Sequence, residues 1–351
     1  MRSRIVIGPL TVFALGTSCL PGPAPVDEEP APARTAFAFE PIDAPEVTPR
    51  WGAPAAAGFL VGGVDDSMTV SDQVSSFTVV DGALRATAVG TLDLPRFCGC
   101  ALFDEGRREL LVLGGRDDFY RDASTAVLLN VDSGERVDID DGGAADHPVG
   151  CHAFFSSAND RGYVFGGAAS SSGFTGDTWR FDPAARSFTR LEATGPAGRY
   201  DGGVVTLDDG ALLVGGMGGT VALKFYADVW RFDAADESWS ELVPSLPDGP
   251  PGRRVPWLAL SPDESTLVYG FGSDSPRGET VLGDLWRLDL PSGTWRVAAV
   301  EGDLPAARGF TQKLPGPAGS AGVLAFGADA ALNIHGDAFT LAVPDDLAGQ
   351  W

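Results

Sequence analysis

The sequence predicts an all-β protein assembled from six copies of one four-stranded unit. Two observations carry this expectation. The hexads DTWRFD (177–182), DVWRFD (228–233) and DLWRLD (284–289) nearly repeat one another, and nine residues beyond each tryptophan stands a second large aromatic side chain. Trp179 leads to Phe188, Trp230 to Trp239 and Trp286 to Trp295. Apolar runs closed by glycine precede the hexads: YVFGG with Gly166 and Gly167, LLVGG with Gly215 and Gly216, and LVYGFG. Short apolar runs bounded by Gly, Asp, Pro and Ser read as strands separated by turns.

Taken from the start, the chain opens as an export signal: Arg2 and Arg4 precede the apolar run IVIGPLTVFALG, which is too short to remain as a membrane span. Residues 1–18 are expected to be this signal. The end of the run resembles the lipobox of bacterial lipoproteins, with Cys19 as the residue to be lipidated. It departs from that family in having Gly16 where leucine is usual, so cleavage nearby to give a soluble periplasmic or secreted protein stays open. Residues 19–34, rich in Pro and acidic side chains, read as an extended tether. Residues 35–351 form the folded part.

Within the folded part, each residue of the repeat has a physical task. Sheets stacked face to face need bulk at fixed points, and Trp179, Trp230 and Trp286, each with its second aromatic residue, supply it on adjacent strands. The glycines end the second strand where a Cβ would collide or where positive φ is needed. Asp182, Asp233 and Asp289 stand at turns, where a short carboxylate accepts from nearby backbone amides. With a period of about 50 residues, the diglycine and the spaced aromatics, these segments resemble kelch repeats, the units of β-propellers. Looser copies follow from the resemblance: FLVGG ending at Gly63, LLVLGG ending at Gly115, and VLAFGA with DAFTL. The expected fold is a six-bladed kelch-like β-propeller.

The sixth copy stops after Leu341 without room for a fourth strand. AFAFEPIDAPEVTPRW near the N-terminus is similar to SFTRLEATGPAGRY (187–200), so Phe37 to Ile42 are expected to supply the outer strand of the last blade. One blade is then built from both termini, and the ring has no open edge.

Composition narrows the function. With 48 acidic and 25 basic residues and a net charge of −23, the protein is set against nucleic acid and anionic membrane surfaces, and contact with a membrane is expected only through the lipid. Arg50, Arg96, Arg199, Arg253 and Arg308 recur just before or at the start of the first strands. They are candidates for a ring at the channel entrance that would suit a carboxylate or sulfated sugar; a bond to backbone or to a neighbouring aspartate is the structural alternative. If Cys19 is lipidated, either Cys98 or Cys100 is expected to bridge to Cys151 in an oxidising compartment, or all three stay as buried thiols.

The three histidines, His147, His152 and His335, lack metal-ligand spacing, and the acidic run 132–146 lacks that of a calcium loop. Kelch-like copper oxidases use tyrosine and histidine ligands together, and nothing here matches them. No cofactor, metal or catalytic residue is expected. The expectation is a non-enzymatic, lipid-anchored protein of the cell envelope. It would bind an unknown protein or glycan through the loops 64–72, 116–124, 168–176, 217–227 and 273–283. The alternative implied by the resemblance is a periplasmic sugar mutarotase or epimerase similar to the kelch-like sialic-acid mutarotases.

Overall fold

The computed structural model describes residues 33–45, 47–117, 121–123, 125–146, 149–170 and 173–351. The expected export signal, Cys19, nearly all of the tether and His147 lie outside these residues. Regular structure in the described residues is β-strand, apart from one 3-10 turn at Ala348–Gln350.

Six sheets of four or five strands follow one another along the chain. The first holds Ala55–Ala56, Phe59–Val61, Gln73–Val80 and Ala83–Thr91, and the second Cys100–Asp104, Glu109–Leu113, Ala126–Asn130 and Arg136–Ile139. The third holds His152–Ser156, Arg161–Phe165, Thr178–Asp182 and Ser187–Leu191, and the fourth Gly203–Leu207, Gly210–Val214, Val229–Asp233 and Ser238–Val243. The fifth holds Trp257–Leu260, Thr266–Gly270, Leu285–Asp289 and Thr294–Val297. In each of these five, consecutive strands pair antiparallel.

The sixth sheet joins the two ends of the chain. Gln312–Leu314, Ser320–Ala325 and Ala338–Ala342 continue antiparallel into Phe37–Ile42, with Phe39 opposite Leu341 and Ile42 opposite Ala338. A fifth strand, Val300–Glu301, pairs parallel to Phe37 and Ala38, an addition that the repeat did not foreshadow. The backbone amide of Arg34 donates to the Asp345 carboxylate, and the Asp345 amide donates back to the Arg34 carbonyl.

Burial explains the residue pattern along each sheet. Second strands such as Gly210–Val214 and Thr266–Gly270 are buried at every position, because both faces of the sheet are covered. Fourth strands such as Ser187–Leu191 alternate toward solvent and carry charge. The apolar clusters lie between sheets: Trp179 and Phe188 pack in the one joining the second and third, Trp230 and Trp239 in that of the third and fourth, Trp286 and Trp295 in that of the fourth and fifth. Leu60 and Phe77 of the first sheet share a cluster with Leu314, Val323 and Ala325 of the sixth.

The paired glycines are conformational. Gly166 and Gly167 have φ of +67° and +112°, and Gly215 and Gly216 have +70° and +99°. A Cβ on Gly216 would sit 3.0 Å from the carbonyl oxygen of Tyr200. In the fifth and sixth sheets Phe271 and Phe326 hold the first of these positions at φ of +56° and +57°, a strained conformation for a bulky residue, and both rings are fully buried.

Candidate functional site

The recurrent arginines are turned into their own sheets. Arg96, Arg199, Arg253 and Arg308 are at most 1% exposed. Arg199 donates to the carbonyl of Gly215 and forms a two-pronged pair with Asp228 at 2.6 and 3.0 Å. Arg253 does the same with Phe271 and Asp284, and Arg308 with Phe326 and Asp337. Arg96 donates to Gly114, and Arg50 to Gly62 and to the Gln73 side-chain oxygen. Each guanidinium thus satisfies the carbonyl at the diglycine turn, where positive φ takes that group out of the ladder. The expected cationic ring at the channel entrance is corrected accordingly: desolvated guanidiniums need fixed acceptors, and the fold provides them internally. The aspartates also hold the repeated tryptophans, for Trp230 donates to Asp228 at 2.9 Å and Trp286 to Asp284 at 2.7 Å. Burial pushes the Asp284 carboxyl up, but Arg253 overrides it and holds the group below its usual value.

Two residues beyond each of these five arginines, and again at Gly150 ahead of the third sheet, the chain enters the left-handed region. Gly52, Cys98, Gly150, Asp201, Val255 and Phe310 have φ between +47° and +65°. The Cys98 amide donates to the Gly52 carbonyl, Gly150 to Cys98, Asp201 to Gly150, and Val255 to Asp201, at 2.5–2.8 Å. Backbone hydrogen bonds therefore run from sheet to sheet through these residues. A β-branched residue such as Val255 is costly in this region and persists only where its surroundings dictate it.

These six residues form one end of a cavity of about 490 Å³ that is lined from the first-strand segments of all six sheets. Trp51 closes over this end, edge-on to Phe97 and Phe310 at 5.4 and 5.1 Å. Arg254 joins them, ion-paired to Asp201 at 2.5 Å and lying 5.2 Å over the rings of both Tyr200 and Phe310. Exposure rises toward the other ends of the first strands, where Ala57 and Thr206 are open to solvent.

The titratable groups along the cavity are mostly committed. Cys100 and Cys151 form a disulfide across the second and third sheets, and among the described residues Cys98 is the free thiol. Burial, then the Asp201 charge, pushes the Cys98 thiol up to about 12, so it is not a nucleophile at neutral pH. His152 accepts from the Gly202 amide through Nε2 at 2.8 Å, so its proton sits on Nδ1 and is donated to the Phe165 carbonyl at 3.1 Å. Burial lowers its pKa to about 4.

Lys313 differs. It occupies the position held by Ala55, Ala101, Ala153, Val204 and Leu258 on the other first strands, as the register against the second strands shows. The side chain is exposed to the open space of the cavity, and no hydrogen bond or ion pair holds its amine among the described residues. Loss of bulk hydration lowers its pKa to about 8.

The loops expected to bind a partner are hairpins that extend past the diglycine turns as small three-stranded layers. Trp51, Val64 and Val70 bridge in the first sheet, and Arg199–Tyr200, Met217–Gly218 and Lys224–Phe225 in the fourth. Asp65 and Asp329 shape two of the tips, each accepting from two backbone amides with one carboxylate oxygen. Met68, Val221, Leu223 and Leu332 are exposed there, Val221 to 99%. His335 is not brought near His152, and among the described residues no cluster of His, Cys, Asp or Glu is arranged for a metal.

Sequence reasoning missed Lys313, the Arg254–Asp201 pair and the left-handed ring. For Lys313 a signal existed, since aligning the first strands leaves one lysine in a row of apolar residues.

Residues 55–270 match the KLHDC2/KLHL20/DRC7 kelch-repeats domain, more than half of the chain. Among solved structures, that of YjhT is similar at a TM-score of 0.66 and 15% identity, covering 87% of this chain and 97% of its own. That likeness is one of fold. No curated protein sequence matches the chain.

Proposed function

The chain belongs to the KLHDC2/KLHL20/DRC7 kelch-repeat domain family, and on that premise we propose that it is a six-bladed propeller acting as a non-enzymatic binding scaffold. The six sheets are its blades, and Phe37–Ile42 closes the ring through the sixth. The partner is a protein or glycan, engaged by the crown of hairpins. One observation carries this reading: the exposed apolar side chains Met68, Val221, Leu223 and Leu332 stand on hairpin tips above a backbone-bonded framework.

The test compares the 34–351 fragment with a variant carrying Met68→Asp, Val221→Asp, Leu223→Asp and Leu332→Asp, on a glycan array and in pull-down from envelope extracts. A partner held by the wild type and lost by the variant supports the reading; equal capture refutes it. An NMR anomerisation assay with free sugars addresses the mutarotase alternative, and catalysed exchange would replace the scaffold reading with an enzymatic one. The cell-envelope location is proposed on Cys19. Incorporation of a lipid precursor by wild type and its loss in Cys19→Ala is the expected result, and an unlabelled wild type removes the anchor.

A further inference from the structure

We propose that the cavity around Lys313 is a second binding site, separate from the hairpin crown, that takes a small carboxylate carried on an apolar body. The geometry sets the chemistry of the ligand. Lys313 is one of two lysines in the sequence, the other being Lys224. The register position of Lys313 is held by Ala55, Ala101, Ala153, Val204 and Leu258 on the other first strands, none of which can offer a counter-charge. A partly desolvated cation without a partner favours an anion that restores its hydrogen bonds. Thr311, two positions earlier and lining the same cavity, has a buried hydroxyl without a partner and supplies a second donor.

Charge count favours a monoanion. The other titratable groups on the cavity are the neutral His152, the protonated Cys98 and Asp201, which Arg254 already pairs, so the net charge offered to a ligand is that of Lys313 alone. A dianionic phosphate would leave one charge uncompensated inside a protein whose net charge is −23. Phe103 and Phe155, which line the same cavity, offer apolar contact to an aliphatic or aryl body.

The test uses the intact chain labelled with ¹³C and ¹⁵N lysine, which gives two side-chain signals. Lys224, exposed beside the Tyr226 ring at 4.9 Å, is the internal reference. Without ligand, the Lys313 signal is expected to titrate near 8. Benzoate or hexanoate should shift that signal alone and move its titration upward, because the carboxylate favours the charged amine. The protonated fraction falls about tenfold between pH 7 and pH 9, so benzoate affinity should weaken about tenfold over that range. Lys313→Met should abolish binding, while Lys313→Arg, whose charge does not titrate there, should bind equally at both pH values.

Circular dichroism of both variants checks that the fold is retained. Benzoate that shifts neither lysine, or that binds Lys313→Met as well as wild type, overturns the site. Tighter binding of inorganic phosphate or glucuronate overturns the ligand class. Because the hairpin tips are untouched, the glycan-array and pull-down outcomes stand or fall separately.

Discussion

Replacing Phe39 by alanine tests whether the strand from the N-terminus is structural. The side chain is 8% exposed and packs edge-on against Phe271 at 5.7 Å and Phe339 at 6.3 Å, bridging the fifth and sixth sheets. Truncation removes the ring, both aromatic contacts and the buried area, and leaves a cavity; phenylalanine losses of this kind cost about 3–5 kcal/mol. For a fold spanning Arg34–Trp351, a melting entropy of about 2 cal/mol/K per residue makes each kcal/mol worth about 1.5 °C. The melting temperature of Phe39→Ala, followed by near-ultraviolet circular dichroism or calorimetry, should therefore fall by about 5–7 °C. Val221→Ala, at a fully exposed hairpin tip, should move it by less than about 1 °C. Deleting residues 34–45 removes the whole strand and should cost more than the point change. If Phe39→Ala melts with the wild type, the strand pairing described here is wrong, and so is the account of how the last sheet is completed.

Other consequences of the geometry are equally accessible. Asp228→Ala strands the buried Arg199 guanidinium and the Trp230 indole, so chemical denaturation should show a loss of about 3–5 kcal/mol, against about 1 for the turn variant Asp233→Ala; equal losses would contradict the pairing. His152 is held neutral with a folded pKa of about 4 against an ordinary 6.5. The unfolded chain therefore binds more protons between those values, and this part of the stability is present above pH 6.5 and lost as pH falls toward 4. It is worth about 3 kcal/mol, and His152→Gln should flatten the stability profile in that window alone. Reducing the Cys100–Cys151 disulfide, which closes a loop of 51 residues, should cost about 4 kcal/mol in the chain-entropy account. The Cys98 thiol of the oxidised native protein should react with a disulfide reagent far more slowly than after denaturation.

Legibility from sequence followed the range of the physics. Gly166, Gly167, Gly215 and Gly216 announce positive φ because few other residues adopt it cheaply, and Asp182, Asp233 and Asp289 announce turns because their carboxylates reach amides two or three residues on. These are local effects. The recurring arginines were equally visible, yet their direction was not, because Asp228, Asp284 and Asp337 become their partners only when the first and third strands of one sheet are brought together. The same holds for the cysteines: spacing left Cys98 and Cys100 as equal candidates, and the left-handed turn at Cys98 decides the choice by reorienting its side chain while Cys100 faces Cys151 at a Cα separation of 5.4 Å.

By itself, then, the sequence determined the kind of unit, its repetition and where its strands turn, since periodic bulk and special backbone conformations are written into residue type. Tertiary structure decided which charges are spent inside the framework and which remain available. A buried guanidinium with an aspartate two strands away is committed, whereas Lys313, at a register position held by apolar residues on the other first strands, stays unpaired because no carboxylate converges on it. The difference arises from desolvation and from distances between strands remote in the chain, and neither exists until the sheets have packed.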